Sequence, residues 1–432
     1  MSNKIKDIYY WLKKSNTNLD DALYIYKNID ELAHFKKTWS KPTIVERYIH
    51  AFIIFFKRII TFFDTRRVSN PLPKNITTIL YVNSNNTFHS LEFLKTLEKV
   101  CFFEQSNRIS PYQSQRGSIV HNIKTPLWIT ILSFFNFPIY ALFFWKKSFK
   151  HPHLYFENWG KEYVNMKLLK NYKNINKVVF ANDHNVENRL FKISCENQKI
   201  KTIYFQHASV TTLFPKLDFD QSFLFGKVDL MKYVDIGTIK GEVVLAGSPK
   251  FDELYQHRRK ANFEKTHTFG IALNLIDEVE KIELLIATVL MNTSYNIVIR
   301  MHPGDRRIFS FNSKRVKLHN ANEIPLIDFF GEIDFLISGE SSIHLESLYL
   351  KIPSFFVELT SKPTKDYYQI LKSGLVKYFK IELSTDELFQ KFSSSEMIDE
   401  LKLKNFIQSV GENYDGKVGE LIINEIKNNI EA

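Results

Sequence analysis

The chain has 432 residues, 44% of them hydrophobic and 24% charged, a globular composition with room for two or three domains. Cys101 and Cys195 are its only cysteines, which excludes a disulfide framework and any Cys-rich metal site and suits a reducing compartment. The formal net charge of +11 is concentrated: residues 1–70 hold 13 basic against seven acidic side chains, and residues 146–173 hold seven against two.

The N-terminus, "MSNKIKDIYYWLKKSNTNLDD", has no apolar segment followed by a small-residue cleavage site, so no secretory leader is expected. Residues 1–70 read as a basic amphipathic helical region that ends in the apolar run "YIHAFIIFFKRIITFF" (48–63). A second apolar run, "PLWITILSFFNFPIYALFFW" (126–145), is long enough to raise the question of a membrane span. Ser133, Asn136 and Pro138 interrupt it, and a single crossing would separate the strands on its two sides by a bilayer. It is expected as an interfacial helical pair or a buried helix. Basic, aromatic-rich flanks beside apolar segments are what an anionic membrane surface attracts. No nucleic-acid-binding motif accompanies the charge, so nucleic acid is not an expected partner.

Strands and helices alternate through the rest. "TTILYVN" (77–83), "KVVFAND" (177–183), "KTIYFQH" (201–207), "SFLFG" (222–226) and "EVVLAG" (242–247) read as buried strands, with helical patterns at 88–99, 185–197 and 249–260. The polar stretch "YQHRRKANFEKTH" (255–267) breaks the rhythm and marks a domain boundary. The pattern then restarts with "TFGIALNL" (268–275), "YNIVIRM" (295–301), "RVKLHN" (315–320), "DFLIS" (334–338) and "PSFFVEL" (353–359). Two α/β domains with parallel sheets, facing each other across a cleft, are predicted.

Ligands of such sheets bind at the carboxyl ends of strands, so the residues just after each strand are the candidates. Gln206 and His207 end the third strand, and the His could be a turn residue, a core residue or a proton acceptor. In "AGSPKFDEL" (246–254) Gly247 permits a tight turn and Pro249 suits a helix start. In "RMHPGD" (300–305) Pro303 forces His302 to be extended. In "SGESSIHLESL" (338–348) Ser341 or Ser342 can cap a helix whose exposed N–H groups favour an anion, phosphate above all, while Glu346 on the same face could accept ribose hydroxyls. "DFD" (218–220) has the letters of a metal-bound sugar-nucleotide motif but follows a loop and reads as incidental; no metal or cofactor is expected.

In this order, "QHA", "GSPKFDEL", "RMHP" and "GESSIHLES" resemble the signatures of the CDP-glycerol glycerophosphotransferases and the His-Pro and Ser-Ser motifs of bacterial capsule sialyl- and polysialyltransferases. The resemblance covers roughly residues 175–360. It implies a metal-independent transferase of the GT-B architecture, two Rossmann-like domains facing a cleft, with residues 71–260 as the acceptor-side domain; the apolar run 126–145 within it is read from its own pattern as a membrane-associating insertion. Residues 261–432 would then be the nucleotide-donor domain with terminal helices. Ala208 stands where the teichoic-acid enzymes have Gly, and Lys250 where Arg is usual, which loses a bidentate phosphate fork but keeps the charge.

What the resemblance implies for the site is His207 as general base toward an acceptor hydroxyl; should His207 prove structural, the strand-end Asp183 and His184 are the first alternatives. Gly247, Lys250, Arg300, His302, Ser341, Ser342 and Glu346 would contact the donor, His302 also stabilising the leaving nucleotide. The activity implied is transfer of a sugar from a nucleotide-activated donor, CMP- or CDP-linked, to a glycan or lipid-linked acceptor in bacterial capsule or lipopolysaccharide synthesis. The expected location is cytoplasmic, peripheral on the inner face of the cell membrane. A CDP-glycerol-type polyol-phosphate transferase, a UDP-sugar epimerase and a non-catalytic GT-B binding protein are the alternatives.

Overall fold

The computed structural model describes residues 3–24, 43–63, 72–104, 119–121, 125–258, 266–361, 366, 368–379, 398–411 and 414–428. Much of the proposed boundary stretch, 259–265, lies outside them. Strands and helices alternate into two all-parallel sheets. The first holds β1 (Thr78–Val82), β2 (Val100–Glu104), β3 (Ile119–His121), β4 (Lys177–Phe180), β5 (Lys201–Phe205), β6 (Gln221–Leu224) and β7 (Glu242–Leu245), in the order β3-β2-β1-β4-β5-β6-β7. The second holds β8 (Thr268–Ala272), β9 (Asn296–Arg300), β10 (Val316–His319), β11 (Phe335–Ser338), β12 (Ser354–Phe356) and β13 (Lys377–Tyr378), in the order β10-β9-β8-β11-β12-β13. All ten strands expected from the sequence are present, each shorter than read, and β6 begins one residue earlier, at Gln221. The unforeseen β2, β3 and β13 include two edge strands, of three and two residues, too short to show a period.

The central strands are buried along their whole length, which is why they read as continuous apolar runs rather than as alternation. Each sheet packs apolar side chains on both faces. Ile79, Tyr81, Phe103 and Phe191 lie in one cluster of the first sheet, Leu80, Val82, Phe88 and Phe205 in the other. In each sheet the strand order reverses once, between β1 and β4 and between β8 and β11. These two reversals are the topological switch points at which crevices open.

Helices α1 (Asn3–Ala22), α2 (Ile44–Phe63), α3 (Asn85–Leu91), α4 (Leu127–Phe143), α5 (Trp145–Lys150), α6 (Pro152–Asn158), α7 (Lys161–Asn171), α8 (Val186–Asn197) and α9 (Lys227–Ile236) accompany the first sheet, whereas α10 (Lys250–Tyr255) buries Phe251 and Leu254 in a cluster of the second. A separate aromatic cluster, with Phe55, Tyr140, Tyr155 and Trp159 at its centre, joins α1, α2, α4 and α6 to Val186 and Leu190 of α8. Helices α11 (Val279–Asn292), α12 (Leu326–Gly331), α13 (Ile343–Tyr349) and α14 (Glu400–Phe406) follow with the second sheet. The last helix, α15 (Val418–Asn428), returns to the first: Val418, Ile422 and Ile426 join the Phe88 and Phe205 cluster. Asp252 in the "GSPKFDEL" stretch holds its start, accepting from the Val418 N–H at 3.0 Å and the Gly419 N–H at 2.7 Å. Among the described residues no helix is long and apolar enough to cross a membrane.

Candidate functional site

The first sheet's switch point places Asp183 and His184 at the end of β4, beside the end of β1. Asn83 after β1 donates to Asn188 of α8 at 2.7 Å, and the Asn182 side chain accepts the His184 and Asn185 N–H groups at 3.0 and 2.9 Å, folding the turn that presents His184. The buried Asp183 carboxylate meets His184 Nδ1 at 3.0 Å and accepts the Tyr233 hydroxyl at 2.5 Å. Burial pushes this carboxyl up, yet the hydrogen bonds from His184 and Tyr233 and the charges of His184 and Arg189 outweigh it and leave it below its ordinary value. With Nδ1 turned to a carboxylate, His184 has Nε2 as its proton-accepting atom, near Asn182 Nδ2 at 3.3 Å, and its ring lies 4.4 Å from that of Phe214.

One strand further on, Gln206 is fully buried and structural: it donates to Asp229 at 2.6 Å and to the Ala208 carbonyl at 2.9 Å, and accepts the Phe225 N–H at 2.8 Å. It thereby fixes the turn that carries His207. Burial, then the charge of His184, push the His207 imidazole down to about 4 against the pull of Asp183 and the Ala181 carbonyl, with Lys250 also lowering it. Its Nδ1 is buried without a hydrogen-bond partner. His207 is therefore a neutral ring at ordinary pH, within electrostatic reach of the Asp183–His184 pair on one side and Lys250 on the other.

Lys250 connects the two sheets. Its Nζ meets Glu346 Oε1 of α13 at 2.9 Å and lies over the rings of Phe225 and Phe251, at 5.7 and 5.1 Å from their centres. The two residues expected to touch a donor separately are thus paired to each other, and Glu346 Oε2 stays buried with no partner. A second link runs from Lys232, ion-paired with Asp229 at 3.1 Å, to the Tyr368 carbonyl at 3.4 Å. Gly247 has a different task from ligand contact. Its φ is +79°, and a Cβ there would sit 2.6 Å from the Ser409 backbone nitrogen, so the glycine lets that segment close against the turn.

At the second sheet's switch point, Asn274 after β8 donates to the Glu340 carbonyl after β11 at 2.7 Å, and Asp277 accepts the Asn274 N–H at 2.6 Å. The fully buried His344 meets the Ser354 hydroxyl at 2.6 Å and the Gly339 carbonyl at 2.9 Å, and burial pushes it down to about 4. That neutral ring pins the 339–342 turn. Ser341 Oγ accepts the Ile343 N–H at 3.3 Å, whereas Ser342 stands at the N-cap without a side-chain cap bond. Next to β8, the exposed His302 accepts the Gly304 N–H on Nδ1 at 3.0 Å, which leaves Nε2 to carry the proton outward. Arg300 is engaged elsewhere, donating to the Ile324 carbonyl at 2.8 Å over the Phe329 ring.

Two carboxyls at this switch point escaped the sequence reading. Burial raises Asp277 to about 7 and Glu340 to about 7, the latter aided by Asp366 and opposed by the Tyr368 N–H and Lys232; Glu340 Oε2 has no partner. The available signal was position, since each follows a strand flanking the reversal. Among the described residues no group of three or more His, Cys, Asp or Glu is placed to hold a metal ion.

No known protein family matches the sequence. No curated protein matches it either. The fold has solved counterparts. The glycotransferase of kitacinnamycin is similar at a TM-score of 0.51 and 12% identity over 80% of this chain and 98% of its own. The UDP-GlcNAc 2-epimerase of Methanocaldococcus jannaschii is similar at 0.50 and 11% over 81% and 99%. The wall teichoic acid polymerase TagF gives 0.46 and 12% over 90% and 98%. At these identities the likeness is one of fold, and the architecture is GT-B.

Proposed function

We propose that the protein is a glycosyltransferase that moves a sugar from a nucleotide-activated donor, CMP- or CDP-linked, to a hydroxyl of a glycan or lipid-linked acceptor of a bacterial surface polysaccharide. The observation that carries this reading is that His207 lies within electrostatic reach of both the Asp183–His184 pair and Lys250, and that Lys250 pairs across to Glu346 of α13, which keeps a spare buried carboxylate oxygen. A peripheral position on the inner face of the membrane belongs with it, because lipid-linked acceptors are presented there.

In this reading the acceptor hydroxyl replaces Asn182 at His184 Nε2. As its oxygen attacks the donor's anomeric carbon, the proton passes to Nε2, the bond from that carbon to the phosphate oxygen breaks, and its electron pair stays on the phosphate. Asp183 orients the ring and stabilises the imidazolium. His184 takes precedence over His207 as the base because Asp183 at its Nδ1 fixes the ring with Nε2 as the accepting atom, whereas a ring held near 4 is a weak proton acceptor at neutral pH. His207 then serves as a neutral hydrogen-bonding group beside the reacting atoms.

On the opposite side, His302 Nε2–H, the Ser341 and Ser342 hydroxyls and Lys250 would meet the donor phosphates, and Glu346 Oε2 would accept from ribose hydroxyls. Charge collecting on the leaving phosphate strengthens these contacts as the reaction proceeds. The test is incubation with CMP-, CDP- and UDP-activated donors and a membrane extract as acceptor source. Release of CMP or CDP is expected, and no nucleotide release with any donor contradicts the reading. The Glu340 carboxyl, held near neutrality, supports a second reading as a UDP-sugar epimerase. Conversion of a UDP-sugar to its epimer without acceptor would favour that one.

A further inference from the structure

Helix α4 is built inside out. Its polar residues face the protein: Thr130, Ser133 and Asn136 are all buried, and Asn136 Nδ2 donates to Asn16 Oδ1 at 2.7 Å and to the Tyr155 hydroxyl at 2.9 Å. Ile129 and Tyr140 pack into the aromatic cluster, but a row of its other apolar residues faces outward. Trp128, Ile131, Phe135, Ile139 and Leu142 recur at intervals of three, four, four and three, one helical face, with Phe135 68% and Leu142 76% exposed. Helix α2 carries the same pattern on its outer side at Ile49, Phe52, Phe56, Ile60 and Phe63, all exposed, although its inner side already packs Ala51 and Phe55 into the aromatic cluster. The two outer faces adjoin, with the Phe52 and Phe134 rings 6.5 Å apart.

A helix that borders water keeps a polar outer face; one apolar on all sides is covered by something apolar. A continuous face of this size marks an interaction surface. Its charged fringe identifies the occupant. Lys57 on α2 and Lys146 and Lys150 on α5 are exposed beside the apolar rows, and the exposed Trp128 and Trp145 have the amphipathic ring that sits at headgroup level. Neither helix can cross a bilayer, so the fit is to its interface.

We infer that α2, α4 and α5 form a platform that docks on the interfacial layer of an anionic lipid bilayer, the apolar rows among acyl chains and the three lysines against lipid phosphates. This deepens the proposed function, on which it rests only for what the bilayer supplies. The platform is one layer from the site: the cluster beneath it includes Val186 and Leu190 of α8, and Lys161 at the start of α7 meets Glu187 in the first turn of α8 at 2.9 Å. Helix α8 begins right after Asp183 and His184. A lipid-linked acceptor would therefore reach the proton-accepting pair without leaving the surface.

The experiment is cosedimentation of the full chain, without donor, with phosphatidylcholine vesicles and with the same vesicles containing phosphatidylglycerol, alongside quenching of Trp128 and Trp145 by brominated lipids. Binding to the anionic vesicles with quenching of both rings is expected. Phe135→Ser with Leu142→Ser should weaken it by about tenfold or more, from lost apolar burial. Lys57→Gln with Lys146→Gln and Lys150→Gln should abolish the preference for anionic vesicles and leave residual binding to both; these surface changes keep the fold should the serine variant not. Absence of vesicle binding by the wild type overturns the inference. So does self-association in solution that the serine substitutions dissolve, since the face would then be covered by a second copy. Nucleotide release by an enzyme that binds no vesicles would overturn the platform alone and leave the transferase reading standing.

Discussion

The strand ends of the two sheets are built to opposite standards. In the first sheet the candidate proton-accepting pair and the turn beside it are locked before any ligand arrives: Asp183 is buried, bonded to His184 and Tyr233, and Gln206 has its amide fully engaged. In the second sheet the backbone turn is locked, by His344 and Asn274, while His302, Ser341 and Ser342 are left partly or fully exposed. The difference suits a division of labour. A proton acceptor must be oriented in advance, because its benefit depends on geometry at the moment of attack. Phosphate contacts can be completed by the ligand itself.

The largest effect is expected where that comparison is sharpest. His184→Ala should lower turnover by roughly 100- to 10,000-fold, the usual contribution of a positioned base. Asp183→Asn should cause a smaller loss, since the ring loses the carboxylate that fixes its orientation. Steady-state rates across a pH series check both. If His207→Ala instead produced the larger loss, the base would lie one strand away from the switch point. On the second sheet, His302→Ala, or Ser341→Ala with Ser342→Ala, should weaken donor binding by roughly tenfold each, about 1.4 kcal/mol, read by titration calorimetry. Unchanged affinity would remove these groups from the phosphate site.

The smallest effect concerns stability. His344→Leu leaves the Ser354 hydroxyl and Gly339 carbonyl without their partner and should cost about 1 to 3 kcal/mol near pH 7. The folded ring resists protonation down to about 4, whereas an unfolded one accepts a proton near 6.5. Its stabilisation is therefore full above 6.5 and drains away as pH falls toward 4, so the gap in melting temperature between wild type and variant should narrow over that range. A gap independent of pH would mean that His344 is not held neutral.

Much of this was legible in the sequence because buried parallel strands announce themselves as unbroken apolar runs, and the residue after such a strand is placed by the fold itself. That is how the strand-end positions of Asp183, His207, His302 and Ser341 could be read. Partnerships were harder to read. Lys250 and Glu346 are 96 positions apart and their pairing depends on how the two sheets face each other. Asp252 looked like an ordinary first-turn carboxylate, yet it caps a helix more than 160 residues later. Asp277 and Glu340 gave no local sign of burial, since a carboxyl's environment is set by what packs over it. The apolar run of α4 was legible as an interfacial or buried segment, but which side faces outward was not: interrupting polar residues look like defects until the helix is seen to turn them inward.

The division of labour is tested most directly by measuring donor affinity and single-turnover rate on the same preparations of His184→Ala and His302→Ala, each confirmed as folded. His184→Ala should bind donor as the wild type does while its chemical step slows by roughly 100-fold or more, and His302→Ala should lose affinity and rate together. A His184→Ala protein that turns over at the wild-type rate, or that loses donor affinity as fully as it loses rate, would contradict that division of labour.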